Sequence, residues 1–375
     1  MSIERSAVDT RHQGPVPSAD VSRVSGPEIG LRTAVLTPHV SADHTGGVEL
    51  FNETLVRALG SAEVFAEAPA RRARTSDALR RMGLEQPVGA WRAARALLKR
   101  HREEPFDLIV SNGVSGWPLT FARPDIPQVE VYHFTMAGLA EQAIPLRSAR
   151  LTTGKVEAAF DRLAGVGKHV VAVSQRVLRE VESFYGLRGR SIPNAVDTHA
   201  FRPTNGVLAR QALGLPLGAR IGVFVGRPDP TKGYDILLRV ARRMPGVLFL
   251  VLGCDPWQEG NVRSVGRVPH DDMPRWYAAS DFFFTPSRYE GFNLSLLEAL
   301  SCNLPAVMSQ AACPFLEDPP RCGIVVPGDR DEDFVEAIQR VLSSAYHVSP
   351  RGHVLERYDF RVFRDSWRGF IESIL

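Results

Sequence analysis

Uninterrupted apolar runs alternate with amphipathic helical segments along most of this chain, and this alternation constrains the fold more than any other feature. Runs that are apolar at consecutive positions are typical of strands buried on both faces of a parallel sheet. Such strands are predicted at residues 32–38, 63–67, 107–112, 128–134, 169–174, 190–194, 220–226, 247–253, 281–287, 305–309 and 323–327. Between them, residues 46–59 and 232–244 carry apolar side chains on one helical face, as Phe51 and Leu55 do in the first. Strand–helix alternation on both sides of the middle predicts two α/β domains with parallel sheets.

The length of 375 residues exceeds the usual size of a single hydrophobic core, so two domains are expected. A stretch with Pro and Asn and no periodicity, residues 193–206, is predicted to link them. The predicted order is a loose tail at 1–30, a first domain at 31–192, the linker, a second domain at 207–352 and a final helical segment at 353–375 that crosses back to the first domain. Ligands of parallel sheets bind at the carboxyl ends of the strands, so a site is expected in the cleft between the domains.

The net charge of the whole chain is only +3, which argues against a nucleic-acid-binding protein. Residues 71–104 depart from this balance with ten basic and four acidic residues. An anionic membrane surface or an acidic acceptor would fit this segment, but a solvated helix face fits it better because its apolar stripe is narrow.

Other features of the composition predict a cytoplasmic protein. No run reaches the ~18 apolar residues of a membrane span, and residues 1–30 lack the apolar core of a signal peptide. The four cysteines form no C-x-x-C pair, so reduced thiols and no metal site are expected.

Two loops that follow predicted strands carry residues suited to an anion. Gly46 and Gly47 open a helix, where glycine lets a phosphate approach unpaired backbone N–H groups, although a tight turn would need glycine equally. Arg227 and Lys232 follow the strand at 220–226 and are able to bind one phosphate together. The alternative for these two cations is exposure to water, and their order does not match a Walker loop.

The stretch SRYEGFNLSLLEAL, residues 287–300, places Glu290 in a loop and Glu298 on the helix that follows. That helix is predicted to begin near Asn293, so the N–H groups of Asn293 and Leu294 would face the cleft. An anion bound there would be flanked by two carboxylates able to accept hydrogen bonds from sugar hydroxyls. The alternative is that Glu290 is solvated and Glu298 only complements the helix dipole.

Two further features, His133 and the acids at residues 328–333, each have a functional and a structural interpretation. His133 ends a predicted strand of the first domain on the cleft side, where either a functional or a structural histidine is consistent with the sequence. The repeated Asp-x-Asp at residues 328–333 has a spacing able to hold a metal beside a diphosphate. It directly precedes a helical segment, and acids that favour a helix N-terminus explain it better.

Taken in order, these stretches resemble glycosyltransferase family 4, the group 1 transferases, which are retaining nucleotide-sugar enzymes of GT-B fold. The resemblance spans roughly residues 32–370 and rests on seven stretches: GGVE, YHF, VAVSQ, IPNAVDTHAFRP, VGRPDPTKGYDILL, VGRVPHDDMPRWYAASD and PSRYEGFNLSLLEALSCNLPAV. The last is similar to the E-x7-E signature of the family, met here by Glu290 and Glu298. The resemblance implies two Rossmann-like domains facing across a cleft, the first for the acceptor and the second for the donor nucleotide.

The resemblance also implies roles for individual residues. Its donor-binding positions are Gly46, Gly47, Asn194, Arg227, Lys232, Arg267, Val268, Glu290, Gly291, Phe292, Asn293, Leu294 and Glu298. Its catalytic positions are His133, Arg227, Lys232 and Glu290. Within this set the two cations would bind the diphosphate, Glu298 the ribose and Glu290 the transferred sugar, while residues 266–269 would lie against the base.

For the reaction, the resemblance implies a metal-independent and cofactor-free transfer from a nucleotide-diphospho-sugar to an acceptor alcohol, and a UDP-sugar is the expected donor. Because the chain is compact and residues 71–104 fit a membrane surface poorly, a small hydrophilic natural product is the expected acceptor. An envelope glycan or glycolipid acceptor, a nucleotide-sugar epimerase and a non-catalytic nucleotide-sugar-binding protein are the alternatives. Three positions depart from the family pattern: Ala195, Asn293 and Asn303. Of these, Asn293 is the one expected to alter which sugar is accepted.

Overall fold

The computed structural model describes residues 30–38, 46–66, 79, 82–144, 146–316 and 319–375. The predicted tail up to residue 29 and most of the basic segment before residue 82 lie outside the described residues.

The first half of the described chain forms a sheet of parallel strands. The strands are β1 Thr33–Thr37, β2 Ala62–Ala66, β3 Leu108–Asn112, β4 Gln128–Tyr132, β5 His169–Ala172 and β6 Gly189–Ser191. Their order across the sheet is β2-β1-β3-β4-β5-β6. Every residue of β1 and β3 is buried, as the uninterrupted apolar runs predicted.

The second half forms another sheet, which is parallel except at one edge. Its strands are β7 Arg220–Val225, β8 Val247–Leu252, β9 Trp257–Glu259, β10 Val262–Gly266, β11 Phe282–Thr285, β12 Ala306–Ser309 and β13 Gly323–Val326. Their order is β13-β12-β11-β7-β8-β10-β9, and β9 runs antiparallel to β10. The sequence pattern did not predict β9 and β10. In β10, buried Val262 is followed by exposed Arg263, as expected of a strand that is covered on one face only.

Helices connect the strands. They are α1 Gly47–Leu59, α2 Glu85–Glu103, α3 Trp117–Ala122, α4 Met136–Gln142, α5 Arg147–Leu151, α6 Ala158–Gly165, α7 Gln175–Glu180, α8 Gly206–Ala212, α9 Tyr234–Arg243, α10 Met273–Ala278, α11 Leu294–Ser301, α12 Asp331–Val341, α13 Pro350–Arg357 and α14 Phe360–Glu372. A π-helical segment, Thr152–Glu157, joins α5 to α6, and another, Val181–Tyr185, continues α7.

Among the described helices, none combines the length and the apolarity that a membrane crossing requires. The basic helix α2 buries Ala94 and Leu97 and exposes Trp91 and Arg95.

Each sheet has a point at which the chain changes direction across it. In the first sheet β1 lies between β2 and β3, and in the second β7 lies between β8 and β11. Loops leaving the two central strands at such a point separate to opposite sides and open a crevice, in which α/β proteins bind ligands. The segments after β1 and β3, and those after β7 and β11, are therefore the ones that the topology directs toward a ligand.

The last helix packs in the core of the first sheet. Phe363, Trp367 and Phe370 of α14 are buried together with Phe51 of α1. The prediction of two parallel-sheet α/β domains is confirmed, whereas the residue boundaries of the domains stay a prediction. Phe292 packs against the cores of both halves, and so it marks where they touch.

Candidate active site

The loops after β7 and β11 meet at an ion pair. Lys232 Nζ donates to the two carboxylate oxygens of Glu290 at 2.8 and 3.0 Å, and Ser287 Oγ donates to one of them at 2.9 Å. Gly233 makes this meeting possible, because it adopts a φ of 68° and a Cβ there would lie 2.1 Å from the carbonyl oxygen of Pro286. The Lys-Gly order that excluded a Walker loop is therefore required by the approach of the two loops.

Arg227 stands at the carboxyl end of β7 and is exposed. Within the described residues its guanidinium makes no hydrogen bond or ion pair, in contrast to the paired ammonium of Lys232. A guanidinium presents up to five N–H donors in a planar fork. The loop after β7 thus offers one cation held by a carboxylate and one that is open to a ligand.

Helix α11 begins directly after Asn293, whose side chain caps it. Asn293 Oδ1 accepts from the N–H of Leu296 at 3.0 Å, and its amide nitrogen donates to Thr285 Oγ1 at 3.1 Å. The first intrahelical bond is donated by Leu297, so the N–H groups of Leu294 and Ser295 have no partner within the helix. The side chain of Asn293 is thus committed to the fold, while the backbone beside it presents two donors.

The start of α1 lies next to the start of α11. Gly46 is the N-cap residue of α1, and a Cβ on Gly47 would lie 3.7 Å from Leu294 Cδ1. Helix N-termini carry partial positive charge and unpaired N–H groups. Two of them therefore meet from opposite domains, and the second begins four residues after Glu290.

Glu298 lies one turn into α11 and has both carboxylate oxygens engaged. His270 Nε2 lies 2.8 Å from Oε1, and Tyr277 donates its hydroxyl to Oε2 at 2.8 Å. The hydrogen bond to Glu298 raises the pKa of His270 above its usual value, although partial burial opposes this. Burial, reinforced by the charge of Glu298, raises the pKa of Tyr277. The carboxylate is thereby held in one orientation by two groups from the second domain.

A cavity of about 470 Å³ lies between the domains, on the side of α11 that carries Glu298. Glu298, Leu294 and His270 line one wall, α1 lines the opposite wall, and Asn194 lies at the connection between the domains. Asn194, Leu294 and Glu298 were all predicted as donor-binding residues, and the fold brings them together around one cavity.

On the first sheet, His133 ends a chain of hydrogen bonds between neutral side chains. Asn112 donates from Nδ2 to the carbonyl of Leu36 at 3.2 Å and to Asn52 Oδ1 at 3.1 Å, so its Oδ1 must face His133 Nε2, 2.8 Å away. Asn52 in turn donates to Thr37 at 3.0 Å. Since Oδ1 only accepts, Nε2 of His133 carries the proton and Nδ1 is the unprotonated nitrogen.

The surroundings of His133 also determine its charge. Its ring meets the edge of Phe51 at a centroid distance of 4.7 Å, and desolvation lowers the pKa of the imidazole to about 3. The side chain is consequently neutral at physiological pH, which restricts it to hydrogen bonding. His133 directly follows β4, and its backbone lies against Gly291 of the second domain, while its role in the site stays a prediction.

The remaining predicted positions divide between contacts and packing. Gly291 lies against the first domain, where Ser174 Oγ donates to its carbonyl at 2.8 Å. The ring of Phe292 stacks on Phe315 with centroids 4.2 Å apart, so this side chain is a packing residue. Val268 packs on the core of the second sheet, and Arg267 beside it is exposed.

Sequence reasoning did not find the groups that orient the predicted residues. They are Thr37, Asn52, Asn112, His270, Tyr277 and Ser287. A signal was present for two of them, because Asn112 ends a predicted strand and Tyr277 lies on the helix that precedes β11.

The acids at 328–333 support the structural interpretation. Asp331 begins α12, with Glu332 and Asp333 in its first turn, and Arg239 donates to Asp331 at 2.9 Å. The described part of the chain contains no group of three or more His, Cys, Asp or Glu side chains placed to hold a metal ion.

Two protein families match the chain, one in each half. Residues 45–200 match the family described as Glycosyltransferase Family 4, and residues 219–344 match Glycosyl transferases group 1. Among curated relatives, a D-inositol 3-phosphate glycosyltransferase of Mycobacterium tuberculosis is 28% identical over 309 residues, which are 73% of this chain. The match spans 62% of the length of that relative.

Solved structures share the architecture at low sequence identity. A sucrose-phosphate synthase from Thermosynechococcus elongatus superposes with a TM-score of 0.75 and 19% identity, covering 92% of this chain and 98% of that one. The Anabaena protein HepE, solved in complex with UDP-glucose, superposes with a TM-score of 0.68 and 17% identity, covering 92% and 100%. These likenesses establish that the two-domain architecture is the GT-B fold.

Proposed function

We propose, from the premise that this chain belongs to the group 1 glycosyltransferases of family 4, that it transfers a sugar from a nucleotide-diphospho-sugar to an acceptor hydroxyl. The observation that carries this proposal is that the starts of two helices, at Gly47 and Leu294, lie next to each other, the second of them four residues along the chain from Glu290, which pairs with Lys232. A diphosphate needs cations and N–H donors, and a sugar needs carboxylate acceptors. The cleft places both kinds of group within one site.

The diphosphate is assigned to Arg227, Lys232 and the N–H groups at the start of α11. As the bond from the sugar to the diphosphate breaks, negative charge grows on the leaving group, and preorganised donors stabilise that charge most. A phosphate that binds Lys232 competes for the contact now made by Glu290. Glu290 is then released to accept hydrogen bonds from the hydroxyls of the transferred sugar.

The nucleoside is assigned to the cavity lined by Glu298 and Asn194. Glu298 would accept from the ribose hydroxyls, with its orientation fixed by His270 and Tyr277. Arg267 and Val268 would lie against the base, as expected from the family. UDP is the nucleotide that we propose, and the HepE complex with UDP-glucose supports it.

His133 is assigned to the transferred sugar from the first domain. Because its Nε2–H is donated to Asn112, the ring is left with an acceptor at Nδ1, and its lowered pKa makes it a weak base that stays neutral. We therefore assign it a positioning hydrogen bond with a sugar hydroxyl. Glu290 is assigned to hydroxyls of the transferred sugar, and no side chain of the site is assigned as a covalent nucleophile.

The reaction that follows is a metal-independent transfer with retention. The bond from the anomeric carbon to the diphosphate oxygen breaks while the bond to the acceptor oxygen forms on the same face. The acceptor proton passes to the departing phosphate, so no protein base is required. Closure of the two domains would exclude water from the reacting atoms.

For the acceptor we propose a small hydrophilic alcohol and a cytoplasmic reaction. The D-inositol 3-phosphate glycosyltransferase supports this class, because its name describes a small polyol phosphate as the substrate.

The test is a ligand screen followed by an assay of turnover. UDP-, GDP-, dTDP- and ADP-sugars are compared by thermal shift, since a ligand stabilises the folded chain by RT ln(1 + [L]/Kd). Release of nucleoside diphosphate is then measured with and without polyol acceptors. Acceptor-dependent release is expected. Donor conversion without an acceptor would indicate an epimerase, and binding without turnover would indicate a non-catalytic protein.

A further inference from the structure

The loop that carries Glu290 is fastened to the opposite domain by the preceding residue, Tyr289. The hydroxyl of Tyr289 accepts from the N–H of Thr135 at 3.2 Å and donates to Glu180 Oε2 at 2.8 Å. Its ring is buried, and the guanidinium of Arg176 lies 4.9 Å from the ring centroid. Since all three partners belong to the first domain, a side chain of the second domain spans the cleft at this point.

The receiving groups are themselves held in place. Glu180 Oε2 also accepts from Thr135 Oγ1 at 2.7 Å, and its Oε1 accepts from Arg176 at 3.2 Å and from Gln142 at 3.4 Å. Thr135 caps α4 by accepting from the N–H of Gly138 at 3.0 Å. The hydroxyl of Tyr289 therefore enters a preformed polar socket, which we define as Thr135, Glu180 and Arg176.

The residue after Glu290 makes a second crossing. Ser174 Oγ donates to the carbonyl of Gly291 at 2.8 Å, and the backbone of Gly291 lies so close to His133 that a Cβ would be 1.7 Å from the carbonyl oxygen of His133. Glu290 is thus flanked on both sides by contacts with the first domain. Because Thr135 lies two residues after His133, the same contacts hold the segment of His133.

We propose that Tyr289 is a positioning residue, which holds Glu290 and His133 at a fixed separation across the closed cleft. The inference rests on the proposed function, in which both residues contact the transferred sugar. The donor diphosphate and ribose are assigned to Arg227, Lys232 and Glu298, all in the second domain. The hydroxyl of Tyr289 is therefore needed for the geometry of transfer and not for binding of the nucleotide.

Substitution of Tyr289→Phe removes the hydroxyl and keeps the ring. The expected result is a fall in kcat of about tenfold with the Kd for UDP unchanged within twofold, as for an interaction that acts in the closed, reacting state. The double variant with Glu180→Gln is expected to be no slower than the slower single variant, because both changes break the same contact.

The matched control is Tyr346→Phe. Among the residues that the structure describes, the buried hydroxyl of Tyr346 makes no hydrogen bond, so its removal should leave kcat and the Kd for UDP unchanged. Hydrogen exchange gives a readout that does not require activity. Tyr289→Phe should accelerate amide exchange in peptides 133–139 and 287–293, and Tyr346→Phe should not.

The outcomes separate the two proposals. Wild-type kcat and unchanged exchange in Tyr289→Phe would overturn the positioning role, and so would an equal loss of turnover and UDP affinity, which indicates general damage to the fold. Absence of turnover by the wild-type protein with every nucleotide sugar would contradict the proposed function instead. In that case faster exchange in both peptides establishes the contact across the cleft by itself, and unchanged exchange excludes it.

Discussion

The polar groups around the predicted site differ between the two sides of the cleft. Apart from the charged pair of Arg176 and Glu180 in the socket of Tyr289, the groups on the first domain that lead to His133 are neutral and form one chain of hydrogen bonds: Thr37, Asn52, Asn112 and His133. On the second domain they are ionisable: Arg227, Lys232, His270, Glu290 and Glu298. We call the first set the neutral edge and the second the charged edge.

The difference shows how the work of the site is divided. Only a charged edge compensates a diphosphate, because a cation stabilises growing negative charge far more than a neutral donor does. A neutral edge supplies direction instead, since each of its groups has a fixed donor or acceptor role and its histidine, with a pKa lowered to about 3, does not titrate near neutrality. Damage to the charged edge should therefore raise the barrier, and damage to the neutral edge should loosen the structure.

The strongest test of this contrast is Lys232→Ala. We expect kcat/KM to fall by about 10²–10³-fold, because the substitution removes one preorganised donor to the leaving group. The folded state should persist, since Lys232 is partly exposed and Glu290 keeps its hydrogen bond from Ser287. Steady-state release of nucleoside diphosphate and the thermal unfolding temperature are the two measurements.

Lys99→Ala is the matched control for this prediction. Lys99 is exposed on α2 and its ammonium lies 3.9 Å from Glu103, a surface pair of small energetic value. Its removal should change neither measurement. A Lys232→Ala enzyme that keeps more than a tenth of the wild-type kcat/KM would remove the charged edge from the mechanism.

The fold was predictable wherever burial on both faces leaves an uninterrupted pattern. Strands β3 and β8 appear in the sequence as apolar runs because helices cover both of their faces. Strand β10 was not found, since exposed Arg263 breaks its run next to the edge strand β9. Burial at an edge depends on neighbours that local periodicity does not encode.

The site was predictable in its charges and less so in their partners. Glu290 and Glu298 follow from a signature, but the bonds of Glu298 to His270 and Tyr277 depend on how α10 and the turn before it pack beside α11. Asn112 bonds to residues 60 and 76 positions earlier, a separation that no local pattern reports. Asn293 differs, because an Asn before an apolar helical run is a capping signal in its own right. This capping role accounts for an Asn at position 293 and does not require any change in which sugar the site accepts.

A smaller effect is expected from Asn112→Asp, which makes the neutral edge charged. A carboxylate beside His133 raises the pKa of the imidazole toward the working pH, and protonation removes the acceptor at Nδ1. Activity should fall about tenfold as pH decreases through the new pKa, a limb that the wild type lacks for this group. The pH profile of kcat/KM measures it.

Asn112→Ala separates charge from packing. It leaves the buried carbonyl of Leu36 and Asn52 Oδ1 without their donor, at a cost of about 1–3 kcal/mol in the free energy of unfolding. Because it adds no charge, it should lower stability and create no acid limb. The appearance of the same limb in both variants would show that the pH response does not come from the charge beside His133.

The smallest effect is expected on the free energy of unfolding, from His270→Gln, which removes the partner of Glu298 on the charged edge. The hydrogen bond to Glu298 raises the pKa of His270, with further contributions from Asp271 and Glu53. A folded-state pKa above the unfolded value means that the charged pair stabilises the fold fully below the unfolded pKa. This stabilisation is lost as pH rises through the raised folded pKa.

The wild type should therefore exceed the variant in stability more at pH 6 than at pH 9. The difference should stay below about 1 kcal/mol, because a third of the His270 side chain is exposed and water screens the pair. Denaturant unfolding at the two pH values measures it, and a difference that grows toward pH 9 would show that His270 is held in its neutral form.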